Sequence, residues 1–409
     1  MQPRERRETG DQDLFRSRLD QIIDMKHPLV TLGRTVDWGF QAQTWNRRQI
    51  VESTTRHQTP ESSVTPSALH ANNQMMDTSE TYPAAERRWP PTIVIGRFAS
   101  GRVLRIELLQ VLSIFSLVLV AMGSVTGVWW FSVHGVTWFE PLLLLSVTFV
   151  TGLGVTLGYH RLFCHRSFIA RAPLAAALGI LGAMTMQGQI SGWVSIHRKH
   201  HRYSDRHGDP HSPRARGAGI AGAIRGFFQG HVGWVMSDTY CVYVDYVRDL
   251  RRDPVVRWVD RWYWLWVAAS WIIPGFIGLA WYGTAAGYWA GFFGGGPLRA
   301  LWQLNCTWAV NSIAHRFGRR RFETREDSRN SALVNTLTMN GEGLHNNHHA
   351  FPWSASFALF PGEIDPGYWV LRGFAAMGWA SKVHVPAPHL IAARAAQPTT
   401  VPLRSSTSR

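Results

Sequence analysis

The sequence predicts an all-α integral membrane protein: four transmembrane helices carrying a helical cap on the cytoplasmic side. Three observations predict it: long apolar runs between residues 108 and 312, Arg residues gathered at one set of their ends, and His clusters at those same ends. The composition agrees, because 45% hydrophobic residues and 20 Trp occur beside a formal net charge of +15. Membrane proteins place Trp at the interfaces and Lys and Arg in cytoplasmic loops. The basic balance therefore points to a membrane and its lipid, not to nucleic acid.

The elements follow in order. Residues 1–95 are rich in Ser, Thr, Gln, Arg and Pro with no sustained apolar period and no run resembling a signal peptide, so a disordered polar segment is expected. A membrane domain is expected over 96–390 and a disordered tail over 391–409, the chain turning polar and Ala-rich after Pro386. Within the domain, 108–131 and 141–159 are each long and apolar enough to read as crossings, and 171–188 is a weaker Ala- and Gly-rich stretch, buried or re-entrant. Residues 262–282 form the third crossing and 286–312 the fourth. Asp365 before Pro366 is a helix start, Asp as N-cap and Pro in the first helical position, with Trp369, Val370 and Phe374 as the apolar face.

Charge sets the orientation. Arg97, Arg102 and Arg105 precede the first run, the turn 132–140 has no Lys or Arg, and Arg161, Arg166 and Arg171 follow the second run. The loop 198–261 is dense in Arg, and Arg316 with Arg319, Arg320 and Arg321 follows the last run. Four crossings of the inner membrane with both ends in the cytoplasm satisfy all of these asymmetries. Three widely spaced Cys, at 164, 241 and 306, form no disulfide framework and no Cys-x-x-Cys pair.

Eight His sit in three clusters: His160 and His165 in HRLFCH, His197, His200 and His201 in HRKHH, and His345, His348 and His349 in HNNHH. Residues at i, i+3 and i+4 lie on one face of a helix, so each triplet can aim three imidazoles at one place. Neutral imidazole is the commonest metal ligand and suits iron, zinc or copper. His160 and His165, five apart, stand about 140° from each other on a straight α-helix. Either the helix end changes course between them or each serves a different ion.

These residues, together with GYHRLFCHRSF at 158–168, HRKHHRYSDRHGDPHSP at 197–213, GFFQGHVGW at 226–234, NSIAHRFG at 311–318 and GEGLHNNHHAFP at 341–352, resemble the membrane-bound fatty acyl desaturases. The likeness is to the bacterial branch of the acyl-CoA delta-9 (stearoyl-CoA) type, and it runs from about Ile93 to Val385. It implies a di-iron centre held by nine His, the ninth being His315, with Asn311 completing one iron's shell through water. The implied reaction inserts a cis double bond into a saturated acyl chain, as a thioester of coenzyme A or on an intact lipid, using O2. Each turnover needs electrons, and with no haem-binding or iron–sulfur sequence in the chain, a separate ferredoxin or cytochrome is the expected donor.

Asp205, Asp209 and Glu342 are the nearest acids in sequence to orient metal-bound imidazoles. Trp193, Trp234 and Phe228 either line an acyl channel or pack the cap. The Arg residues between Arg198 and Arg225 suit a thioester's phosphates or merely obey the charge asymmetry. His207, His211 and His231 fit neither triplet and are left as structural or substrate-side groups. The alternatives are a related membrane di-iron hydroxylase and, outside the enzymes, a metal transporter, which would place polar ligands along a path through the bilayer.

Overall fold

The computed structural model describes residues 88–89, 92–97, 103–214, 216–237 and 242–395, with side chains from residue 110 onward. The expected disorder of residues 1–87 and 396–409 lies outside the described residues. Regular structure starts before position 96: β1 (Arg88–Trp89) pairs with β5 (Val242–Tyr243), and β2 (Thr92–Arg97) forms an antiparallel hairpin with β3 (Val103–Glu107). It also continues past Pro386, where α13 (Pro388–Ala395) replaces part of the expected tail. Pro at its first position and an Ala-rich sequence suffice for that helix.

Among the described residues three helices are long and apolar enough to cross a membrane: Gln110–His134, Phe139–Cys164 and Tyr263–Tyr282. The first lies within α1 (Leu108–His134), and the third is α7 (Tyr263–Tyr282). They bury only 22% and 28% of their most apolar stretch, whereas the second buries 61%, so the second is the central helix and the other two present Phe115, Met122, Trp129, Ile273 and Phe276 outward. The expected fourth crossing is helical over 285–312 but broken into α8 (Ala285–Phe293), a π-turn (Gly294–Leu298) and α9 (Arg299–Ser312). Arg299, Gln303 and Asn305 make it less apolar than the other three. α7 and α8 form a tight hairpin. Gly283 closes α7 at φ 68°, Thr284 caps α8 by accepting from Gly287 N–H at 3.1 Å, and Gly278 lies so near Gly291 that an added Cβ would sit 2.9 Å from its Cα.

The second crossing is α2 (Phe139–Leu153) continued by an eleven-residue π-helix (Gly154–Cys164) in which every residue is buried. Its wider turns fit because α3 (Ala172–Ala183), the stretch read as buried or re-entrant, lies directly against it: a Cβ on Gly158 would stand 2.9 Å from Leu178 O. The remaining helices are α4 (Ile190–Tyr203), α5 (Gly219–His231), α6 (Pro254–Arg261), α10 (Ala332–Thr338), α11 (His345–Ala350) and α12 (Pro366–Ala376). A two-residue ladder between β4 (Ile169–Ala170) and β6 (Ala380–Ser381) ties the end of the π-helix to the chain after α12. The Asp365 cap is present, its carboxylate accepting from Tyr368 N–H at 2.9 Å.

Candidate metal centre

Each His cluster is held by a local device. α4 has no side-chain cap of its own, and Asp260 of α6 supplies one, accepting from Ile190 N–H (2.7 Å) and Ser191 N–H (3.2 Å). α11 is only six residues long and is pinned by the two Asn between its ligands. Asn330 Oδ1 accepts from the N–H of Asn346 (2.9 Å) and Asn347 (3.1 Å), and Asn346 Oδ1 accepts from Arg321 and Phe322 N–H at 2.7 and 2.8 Å. The π-helix ends with His165 N–H donating to His160 O at 3.0 Å, an i to i+5 bond. That bond places residues five apart nearly over one another, so the helix end does change course and both rings face the same place.

Nine His collect into two groups: His160, His165, His197, His201 and His348 in one, and His200, His315, His345 and His349 in the other. The triplets do not converge as expected. In each, the i and i+4 members share a group and the third ring enters the other: His197 and His201 against His200, His345 and His349 against His348. Each triplet therefore spans both groups. α9 ends at Ser312 and the chain widens there, Ala314 N–H reaching back to Ala309 O at 3.2 Å, before His315 enters the second group.

The ring nitrogens meet at ligand spacing. In the first group Nε2 of His348 stands 3.0 Å from that of His160 and 2.9 Å from that of His201, and His201 is 3.0 Å from His197. In the second, His345 Nε2 is 2.9 Å from His315 and 3.1 Å from His349, and His349 is 3.4 Å from His200. Two nitrogens bound to one ion at about 2.1 Å and at right angles lie about 3.0 Å apart.

The far sides of the rings decide what these contacts are. Nδ1 of His160 meets Glu342 at 2.8 Å, His200 meets Asp209 at 3.0 Å, His315 meets Asp205 at 2.8 Å and His349 meets Glu326 at 3.3 Å. A ring that donates from Nδ1 to a carboxylate presents a bare lone pair at Nε2. His200 is so tied to Asp209, and its bare Nε2 faces Nε2 of His349, whose Nδ1 stands beside Glu326, at 3.4 Å, where a cation between the two nitrogens fits. Burial holds His165, His197, His200, His201, His345, His348 and His349 well below the ordinary imidazole value, so they are neutral as ligands must be. Asp205 is pushed up by burial, but the charge and hydrogen bond of His315 and the N–H of Asp327 outweigh this and hold it low. His315 is raised in turn, Asp205 overcoming the effect of burial. The residues fit a metal ion in each group.

Residues 136–361 match the family model described as fatty acid desaturase. The chain belongs to the fatty acid desaturase family. The hex-5-enoyl-[acyl-carrier protein] acetylenase of Moorena producens is 35% identical over 282 residues, 68% of this chain and 87% of that protein. Stearoyl-CoA desaturase 5 of Bos taurus is 33% identical over 304 residues (72% and 82%), and the sn-2 palmitoyl-lipid 9-desaturase of a Nostoc species is 35% identical over 290 (66% and 95%). The protein is a fatty acyl desaturase, an oxidoreductase of the membrane, and the hydroxylase and transporter readings give way to that.

Beside the His groups of this desaturase lies a largely apolar cavity of about 130 Å³, walled by Leu112 and Leu117 of α1, Tyr263 of α7, Leu304 and Trp308 of α9, and both Trp193 and Trp234. Trp193 stacks on His197 with ring centres 4.8 Å apart and donates to Gln187 Oε1 at 3.2 Å, while Gln187 donates to Thr307 Oγ1 at 3.0 Å. Gln187 and Thr307 were not among the sequence candidates, although an amide in a weakly apolar stretch ten residues before a His was the signal for one of them. Phe228 is exposed and lines no part of this cavity. His211 does line it and stacks on His200, whereas His231 bridges Ser312 (2.9 Å) and Asn305 (3.2 Å), and His207 is exposed.

Arg198 is removed from the thioester candidates. Its guanidinium is spent on Asp249 (2.8 and 3.1 Å) and on the carbonyls of Phe163, Cys164 and Tyr246, clamping α4 to the end of the π-helix. Arg206, Arg216 and Arg225 remain exposed. Glu326 was missed because it lies 23 residues before His349 in sequence and reaches it only through the fold.

Proposed function

We propose that the chain is an O2-dependent desaturase that inserts a cis double bond, at the delta-9 position, into a saturated acyl thioester. Two iron ions are its cofactor, one in the five-imidazole group and one in the four-imidazole group, with Asn311 reaching the second through water. The observation that carries this reading is the Trp193-walled apolar cavity, lined by His197 of the first group, by His211, whose ring stacks on His200 of the second, and by Asn311. An apolar cavity holds methylenes by burial alone and leaves their position along the cavity to its shape.

The irons would supply the oxidant that removes hydrogen from unactivated methylenes, which no side chain can do. The protein's part is otherwise. Trp193, held by Gln187, fixes the cavity wall against His197. Asp205, Asp209 and Glu342 keep three imidazoles in the Nδ1–H tautomer and make them better donors, and Glu326 stands beside the Nδ1 of a fourth. Asp209→Asn is expected to weaken metal retention by about 10–100-fold while the chain still inserts into membrane, measured by chelator competition on the purified protein.

The helical run 285–312 serves as the fourth crossing. At 1.5 Å per residue it reaches roughly 40 Å, enough for a bilayer core of about 30 Å. The His groups and the exposed Arg residues then lie on the cytoplasmic side, where a separate ferredoxin or cytochrome docks on the basic face. Relatives whose names carry acyl-CoA, acyl-carrier and lipid substrates leave the thioester resting on the exposed Arg206, Arg216 and Arg225. The test is gas chromatography with mass spectrometry of fatty acids from a desaturase-deficient host expressing the full chain. A new cis-9 monoene is expected, and a hydroxylated chain would overturn the reading.

A further inference from the structure

Two rings from outside the imidazole groups stack on members of them. Trp193 lies on His197 in the first group, ring centres 4.8 Å and planes 18° apart, and His211 lies on His200 in the second, 4.3 Å and 27° apart. Both stand in the wall of the apolar cavity. His211 is delivered there by its own segment, 204–212, which closes on its two carboxylates. Asp205 and Gly208 take left-handed backbone (φ 56° and 101°), Asp209 accepts from Asp205 N–H at 2.8 Å and from His211 N–H at 3.1 Å, and Ser212 Oγ donates to Asp205 at 2.9 Å. The same carboxylates hold His315 and His200. One short segment thus brings two acids and one flat ring to the four-imidazole group.

The His211 residue is 4% exposed, and its Nδ1 has no hydrogen-bond partner, Asp209 Oδ1 being 3.9 Å away. What the ring touches is the face of His200 and, with centres 5.4 Å apart, the ring of Trp234. An imidazole tied at Nδ1 to a carboxylate and at Nε2 to an ion can still turn about the line through those two atoms, and a ring lying on its face stops the turn. Asp209 ties His200 at Nδ1, while His315 and His349 of the same group stand across it at 80° and 79°. His211 supplies the close parallel contact. We propose that His211 is a positioning residue that sets the plane of the His200 ring, in a centre that holds one ion in each imidazole group.

Mössbauer spectroscopy of the resting, iron-57-loaded full chain tests it. Two doublets in the wild type carry the two-ion reading on which this rests, and the variants then judge His211. His211→Ala is expected to change the splitting of one doublet, the same one that Asp209→Asn disturbs, and to leave the other as it was. His211→Phe keeps a flat ring without nitrogen and is expected to restore both. In turnover His211→Ala is expected to lower kcat by about 10-fold with KM for a saturated acyl-CoA little changed, and His211→Phe to stay near the wild type. Two unaltered doublets in His211→Ala, with any change confined to KM or to the double-bond position, would reduce His211 to a lining of the cavity and overturn the proposal. A His211→Phe spectrum like that of His211→Ala would overturn it too, by placing the effect on the nitrogens. A wild type that gives two doublets and no monoene would count against the desaturase assignment and leave the spectra to decide on His211.

Discussion

His200→Ala and His348→Ala each abolish monoene formation, by more than about 100-fold, while the protein still inserts into the membrane. The two residues come from different triplets and enter different groups, so each substitution removes a nitrogen from one group and leaves the other whole. Neither is part of the hydrophobic core, and both rings lie beside other imidazoles. Metal content is therefore expected to fall in both variants with membrane yield unchanged. His134→Ala is the control: its exposed ring stacks on Trp130 at the opposite end of α1, and its loss leaves product and metal as they were. Product at near wild-type level from His200→Ala would remove that residue from the ligand set.

Asp365→Ala lowers stability by roughly 3–5 kcal/mol, the cost of leaving a buried charge unpaired. Nη2 of Arg161 in the π-helix donates to both carboxylate oxygens of Asp365 at the start of α12, at 2.9 and 3.0 Å, and both side chains are 0% exposed. Asp365 also accepts from Phe357 and Tyr368 N–H at 2.8 and 2.9 Å, so one carboxylate joins the second crossing, α12 and the segment between them. The guanidinium lies 3.9 Å over the Phe357 ring, whose centre is 4.8 Å from that of His348 and 5.3 Å from that of His160. Loss of the pair therefore reaches two imidazoles of the first group. Thermal unfolding in detergent checks the stability, and metal retention checks the coupling. A melting temperature equal to the wild type's would contradict it.

Much of this was legible in the residues. The first three crossings follow from apolar length, the α12 start follows from Asp-Pro, and the His and acid positions follow from spacing and proximity. Asp205, Asp209 and Glu342 each meet an imidazole, but only Asp209 meets one of the cluster it neighbours in sequence, His200; Asp205 meets His315 and Glu342 meets His160. Asp205 does so from a left-handed backbone, φ 56°, that no pattern announces. The rest depends on register that spacing cannot show. A π-helix has the same composition as an α-helix, and only the packing of Gly154 and Gly158 against α3 allows its extra width. For the same reason the triplets were read as pointing to one place. In the fold the two groups sit side by side, and a helix crossing between them gives the i and i+4 rings to one group and the remaining ring to the other. Partners brought from far along the chain, Glu326 for His349 and Asp249 for Arg198, are a property of the assembled fold.

The central claim is that the two imidazole groups hold two ions in unequal surroundings, five nitrogens against four with three of the four backed by carboxylates. Mössbauer spectroscopy of the active, iron-57-loaded chain, with iron quantified per chain, tests it most directly. Two irons per chain giving two distinct doublets of equal area are expected. A single iron per chain in fully active protein would contradict the account.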